Sequence, residues 1–152
     1  MIYLQNLFFI LFPPIGEYFH GNSKEFDIYG TGVEAWSSNQ GAISDEIEDR
    51  IRFFAEEADF LKGFQLINDS TDGFGGLSSK ISEYIQDEYG GQCLMAFPTL
   101  PCHYETKLDA IQSTSKMLNL ALTTKSLWEF CHLITPLSLA TDTFPIRGKI
   151  IF

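Results

Sequence analysis

Asp72-Gly73-Phe74-Gly75-Gly76 is the stretch of this chain best suited to chemistry. It follows the short apolar run Phe64-Gln65-Leu66-Ile67. It precedes a segment in which Leu77, Ile81, Ile85 and Tyr89 recur every four residues, the spacing of one helix face. A glycine loop between a buried strand and a helix is where a backbone can cradle a phosphate, because free N–H groups and the positive end of the helix dipole converge there. These residues depart from the known phosphate patterns. There is no GxGxxG, and the GK[ST] ending of a P-loop is absent. Asp69 and Asp72 put negative charge where a phosphate would sit. Asp72, Gly73, Phe74, Gly75 and Gly76 are thus a degenerate phosphate-loop candidate, with a plain tight turn as the competing reading.

The other reactive side chains form no catalytic set. Cys102-His103 and Cys131-His132 are adjacent pairs without CxxC or HxxxH spacing, so no metal site is expected. Glu56-Glu57 and Asp87-Glu88 are adjacent carboxylates about 100° apart on a helix, which makes solvated faces rather than acid/base dyads. No GxSxG, HExxH or kinase-type set is present, and no catalytic residue is assigned. Trp36, Phe53, Phe54, Phe64 and Phe74 read as core aromatics, with Phe53, beside the core-facing Phe54, marking a second contact surface.

The elements that would position the loop can be read from periodicity. Phe26 to Trp36 has strand character interrupted by Gly30 and Gly32, and Ser37 to Gly41 is a polar loop. Ile43, Ile47, Ile51, Phe54, Ala58 and Leu61 share one face of a helix over about Ser44 to Phe60, with Asp45, Glu46, Glu48 and Asp49 complementing its positive end. Phe64 to Ile67 is a strand, Asn68 to Gly76 a loop, and Leu77 to Tyr89 a helix stopped by Gly90-Gly91. Gln92 to Phe97 is a continuous apolar run of the kind found in covered parallel strands. A third helix is expected over about Thr106 to Leu122, its apolar stripe formed by Leu108, Ile111, Met117, Leu118, Ala121 and Leu122. Leu127 to Leu139 holds a further strand or short helix. This alternation predicts an α/β fold of three layers, with a mainly parallel sheet of about three to five strands.

Bulk properties narrow the function classes. The 152 residues suit one domain, and 45% hydrophobic content with 20% charged residues is that of a folded chain. A net charge of −10 disfavours nucleic acid and anionic lipid surfaces. The cysteines are odd in number and unpaired in pattern, which fits a reducing compartment. Residues 1–25 are unlike the rest. Ile2 to Phe12 is apolar, but its run of about 10 residues falls short of the about 20 a helical bilayer span needs. It has no basic residue ahead of it, as a signal peptide would. It reads as a docking strand, an interfacial anchor or the product of an alternative start, the last being preferred. The domain organisation is therefore an atypical segment, 1–25, and a domain over 26–152.

Three motifs in order carry a family resemblance: Gly63-Phe64-Gln65, Asp72-Gly73-Phe74 and Gln86-Asp87-Glu88-Tyr89. With Glu48-Asp49-Arg50 before them and Pro136-Leu137-Ser138-Leu139 after them, they resemble the tubulin-like domain of Misato proteins over roughly residues 26–148. A fainter similarity to tubulin and FtsZ runs through the same region, but tubulin's Gly-Gly-Gly-Thr-Gly-Ser-Gly loop is here Ser70 to Gly76, with Asp72 and Phe74 intruding. The resemblance implies a tubulin-like nucleotide-domain fold and a role in the distribution, morphology and inheritance of mitochondria. It also implies protein partners at the mitochondrial surface or cytoskeleton, and a place at the outer-membrane periphery and in the cytoplasm. The altered loop argues against GTP hydrolysis, so no cofactor is expected, GTP being the one the family would supply. The chain is expected to be a fragment of a longer protein, with an exposed sheet edge. A GTP-binding switch in a full-length form and a non-functional truncated product are the alternatives.

Overall fold

The computed structural model describes residues 26–37, 42–100 and 109–138. Residues 1–25, Cys102-His103 and the residues after Ser138 lie outside these, as do Ser38 to Gly41 and Thr106 to Leu108. The described elements are α1 (Tyr29–Ser37), α2 (Ala42–Glu57), β1 (Gly63–Asp69), α3 (Gly73–Tyr89), β2 (Cys93–Thr99), α4 (Ala110–Phe130) and β3 (Leu133–Ile134). The strands lie in the order β1-β2-β3, and both pairings are parallel. The expected α/β architecture with a parallel sheet is what the chain forms.

The sheet is set by β2, whose Leu94 and Ala96 are fully buried. Phe64 of β1 stands beside Leu94, and Leu66 beside Ala96. On this sheet α3 is the central helix, packed against β1, β2, α1 and α4. The core gathers Ala35 of α1, Ile43, Ile47 and Ile51 of α2, Leu77, Ile81 and Ile85 of α3 and Leu94 of β2. Each isoleucine buried to this degree contributes about 2 kcal/mol. Ile43, Ile47 and Ile51 of α2 and the C-terminal part of α3 thus do what the four-residue rhythm predicts, whereas α2 ends at Glu57, short of the expected Phe60, and leaves Ala58 and Leu61 beyond it and Phe54 only half-buried.

Three further elements differ from expectation, each for a packing reason. Phe26 to Trp36 is not strand-like: most of it is α1, with Gly32 and Ala35 buried. Gly32 is the reason α1 can lie there. A Cβ on it would come within 1.7 Å of the Gly73 carbonyl oxygen, and one on Gly76 within 2.0 Å of the Tyr29 carbonyl oxygen. Gly32, read as a strand breaker, is a contact point between α1 and α3, whereas Gly30 faces open space. Secondly, the loop expected over Asn68 to Gly76 shrinks to Ser70-Thr71-Asp72, because β1 runs to Asp69 and α3 begins at Gly73.

The third difference is α4. It extends to Phe130, taking Leu127 to Phe130 out of the segment read as a further strand or short helix, of which Leu133–Ile134 forms β3. Its expected apolar stripe faces outward: Ile111, Met117, Leu118, Ala121 and Leu122 are exposed. The buried side is Asn119, Thr123 and Leu127.

Candidate functional site

The loop between β1 and α3 is held from three sides by the chain itself. Ser70 donates its hydroxyl to the Thr99 carbonyl at 2.6 Å, tying the loop to the end of β2. Thr71 donates both its backbone N–H and its hydroxyl to Asp69 Oδ1, at 2.7 and 2.9 Å, closing a local turn of the type aspartate favours. Asp72 is the N-cap of α3, in extended conformation, and its Oδ1 accepts from the Phe74 N–H at 2.8 Å.

These contacts account for the donors that would serve a phosphate. The first N–H groups of a helix have no partner within the helix. Here the Gly73 N–H donates to the Phe26 carbonyl at 2.8 Å, and the Gly75 N–H reaches the Asp72 carbonyl at 3.2 Å. The Phe26 ring also meets Phe74 edge-on at 4.9 Å. A Cβ on Gly73 would strike that Phe26 ring at 2.7 Å, and one on Gly75 would lie 2.0 Å from Thr123 Oγ1. Gly73, Gly75 and Gly76 therefore lie against Phe26, Thr123 and Tyr29, in contact with protein.

Electrostatics act in the same direction. Burial pushes the Asp72 carboxyl up to about 6, with the negative charges of Asp69 and then Asp27 adding to it. The Phe74 N–H and Lys116 pull the other way. At neutral pH Asp72 is still mostly ionised, so it places a negative charge at the helix start beside those of Asp69 and Asp27.

Asn119 is the residue that sequence reasoning missed. It is only 2% exposed. Its Oδ1 accepts from the Tyr29 N–H at 2.9 Å, and its Nδ2 donates to the Asp27 carbonyl at 2.6 Å and the Thr71 carbonyl at 2.8 Å. One side chain thus joins the chain entering α1, the loop and α4. Tyr29 adds a hydroxyl bond to Ser126 Oγ at 2.8 Å. Polar residues face inward on α4 because α4 packs on loop carbonyls and helix glycines, which offer acceptors and little apolar surface. The available signal was the run Asn119, Thr123, Leu127 at four-residue steps, with a polar residue at two of its positions.

The remaining candidates are scattered. Cys131, half-buried, has its thiol pushed up by burial and sits 3.9 Å from Ser82 Oγ. Its neighbour His132 belongs to the sheet: its N–H donates to the Leu94 carbonyl at 2.8 Å, and its Nδ1 accepts from the Leu94 N–H at 3.2 Å. The two side chains serve different neighbours. Among the described residues no group of three His, Cys, Asp or Glu side chains could hold a metal ion. Glu56, Glu57, Asp87 and Glu88 are exposed. Trp36, Phe64 and Phe74 pack against the core, whereas Phe53 projects outward.

A parallel sheet whose first described crossover runs from a Gly-Phe-Gln strand through an Asp-Gly-Phe turn has a counterpart among known families. A family model described as a tubulin domain matches residues 17–147. The chain belongs to the tubulin-domain family. Curated relatives that it matches include Misato proteins. It is 39% identical over 126 residues to protein misato homolog 1 of Danio rerio, covering 82% of this chain and 21% of the relative. To the Homo sapiens protein of the same name it is 34% identical over 126 residues, covering 82% and 22%. To protein misato of Drosophila melanogaster it is 35% identical over 116 residues, covering 72% and 19%. The chain spans about a fifth of the length of these relatives. The Misato resemblance read from the motifs is therefore established, and the tubulin-domain match extends across α1 to β3.

Proposed function

We propose that this chain is a non-catalytic, tubulin-like module of a Misato-type protein that acts by binding other proteins, in the service of mitochondrial distribution and morphology. The observation that supports it is the closed loop. Phe26 and Asp72 accept from the Gly73 and Phe74 N–H groups that a phosphate would otherwise use. Asp72 and Asp69 add a charge that repels one. The mitochondrial part of the proposal follows the Misato resemblance. It includes protein partners at the mitochondrial surface or cytoskeleton and a place at the outer-membrane periphery and in the cytoplasm. Among the described residues no helix is long and apolar enough to cross a membrane.

Calorimetric titration of the full chain with GTP and magnesium tests the first half, with circular dichroism reporting that the sample is folded. No heat of binding from folded protein is expected. Micromolar binding would replace the association reading with the nucleotide-switch reading. Gly73→Ala is a poor control for this titration, since the added Cβ meets the Phe26 ring. Asp72→Asn, which keeps the cap and removes the charge, is the better one. Fractionation of cells expressing the tagged chain tests the second half. Recovery away from mitochondria in every fraction would remove the mitochondrial assignment.

A further inference from the structure

The outward side of α2 combines charge with an exposed ring. Asp45, Asp49, Phe53 and Glu56 follow at steps of four, four and three residues, which places them on one side of the helix, with Glu57 alongside. Phe53 is 59% exposed, although Ile47 and Ile51 of the same helix are buried. Its ring stands edge-on to Phe54 at 5.2 Å. An open cavity of about 540 Å³, bordered by Glu46, Asp49, Arg50, Phe53 and Phe54, lies beside it. The two arginines leave most of the acidity in place. Arg50 is held by Glu46 at 2.6 Å and Arg52 by Asp49 at 3.2 Å. No other ion pair involves α2 among the described residues.

We propose that this face of α2 is a docking surface for a basic amphipathic segment of a partner protein. An apolar side chain of the partner would seat in the groove against Phe53, and its lysines or arginines would meet Asp45, Asp49, Glu56 and Glu57. An exposed aromatic ring with a charged rim is the arrangement of an interface centre. Charge selects the occupant. A second copy of a chain carrying −10 would set carboxylates against carboxylates here, and an anionic membrane would be repelled for the same reason. The proposal names a surface and partner chemistry for the association role proposed above, and rests on that reading.

The test is fluorescence anisotropy of a labelled amphipathic helix of leucine and lysine, titrated with the full chain, with the glutamate-for-lysine helix as comparison. The lysine helix should bind, more weakly as salt is raised, and the glutamate helix should not. Phe53→Ser should weaken binding by roughly tenfold, as should Asp49→Asn combined with Glu56→Gln. Glu34→Gln combined with Glu129→Gln makes the same charge change at exposed positions on α1 and α4, and should leave binding close to the original. All of these positions are exposed or partly exposed, so circular dichroism should be unchanged. Equal losses from both charge pairs with no effect of Phe53→Ser would reveal general attraction to an acidic chain and overturn the proposal. A dimer of the chain that Phe53→Ser dissolves would assign the face to a second copy and overturn it as well. GTP binding alongside a Phe53-dependent peptide interaction would sink the association-only reading and leave the surface. Silence toward GTP with no Phe53 effect would do the reverse.

Discussion

Helices α2 and α4 are wired in opposite senses. α2 buries Ile43, Ile47 and Ile51 and turns carboxylates outward, whereas α4 buries Asn119 and Thr123 and turns Ile111, Met117, Leu118, Leu122 and Trp128 outward. The difference lies in what each helix faces. α2 packs into an apolar cluster with Leu77, Ile81, Ile85 and Leu94, so methyl groups are what that side needs. α4 lies against loop carbonyls and the glycine turn of α3, where an isoleucine would leave Asp27 and Thr71 without their donor. The polar stripe of α4 and the glycines of α3 are two halves of one contact, and that contact is what closes the loop.

The largest effect should come from breaking it at its hub. Asn119→Ala removes three hydrogen bonds at once and leaves buried backbone groups unpartnered, at a cost of about 3 kcal/mol. Leu118→Ser, the adjacent residue on the outward side, should stay within about 0.5 kcal/mol. Urea unfolding of the two variants breaks the comparison if their order is reversed.

Overpacking comes next. Gly75→Ala places a methyl on Thr123 Oγ1 and should cost about 2 kcal/mol. Thr123→Ala in the same chain should recover part of that loss, because it removes the nearest atom. A double-mutant cycle reads the coupling, and strict additivity would mean that the two helices are not in contact there.

These two positions also show how far the sequence could be read. The isoleucines of α2 and the leucine and isoleucines of α3 face a common apolar core, so periodicity alone placed them. β2 followed from its unbroken apolar run. Gly73 to Gly76 and Asn119 could not be placed in this way. Glycine has no side chain to mark a face, and the requirement for Asn119 comes from carbonyls at Asp27 and Thr71, remote in sequence. Apolarity along α4 therefore pointed to the wrong side. Of the candidate site, the five residues Asp72 to Gly76 were legible as one unit. What closes them, Phe26, Tyr29, Asn119 and Thr123, was not.

Asp72 should give a smaller effect whose size depends on pH. Asp72→Ala loses the cap and should cost about 1 kcal/mol, while Asp72→Asn keeps a cap-forming oxygen. The folded-state carboxyl, at about 6, lies above its ordinary 3.8, so the folded form holds the proton more tightly. This contribution to stability is fully present below the unfolded value and is lost as pH rises through about 6. The stability of the original chain relative to Asp72→Asn should therefore fall between roughly pH 4 and pH 6. A difference that rises across that window would mean the carboxylate is stabilised at the cap.

Amide hydrogen exchange at Gly73 and Phe74 tests the closed loop most directly, in the full chain with and without GTP and magnesium. With the Gly73 N–H on the Phe26 carbonyl and the Phe74 N–H on Asp72, both amides should exchange slowly in the free protein and at the same rate with nucleotide. Fast exchange in the free protein that slows when GTP is added would contradict the account, because those donors would then be open and taken up by a phosphate.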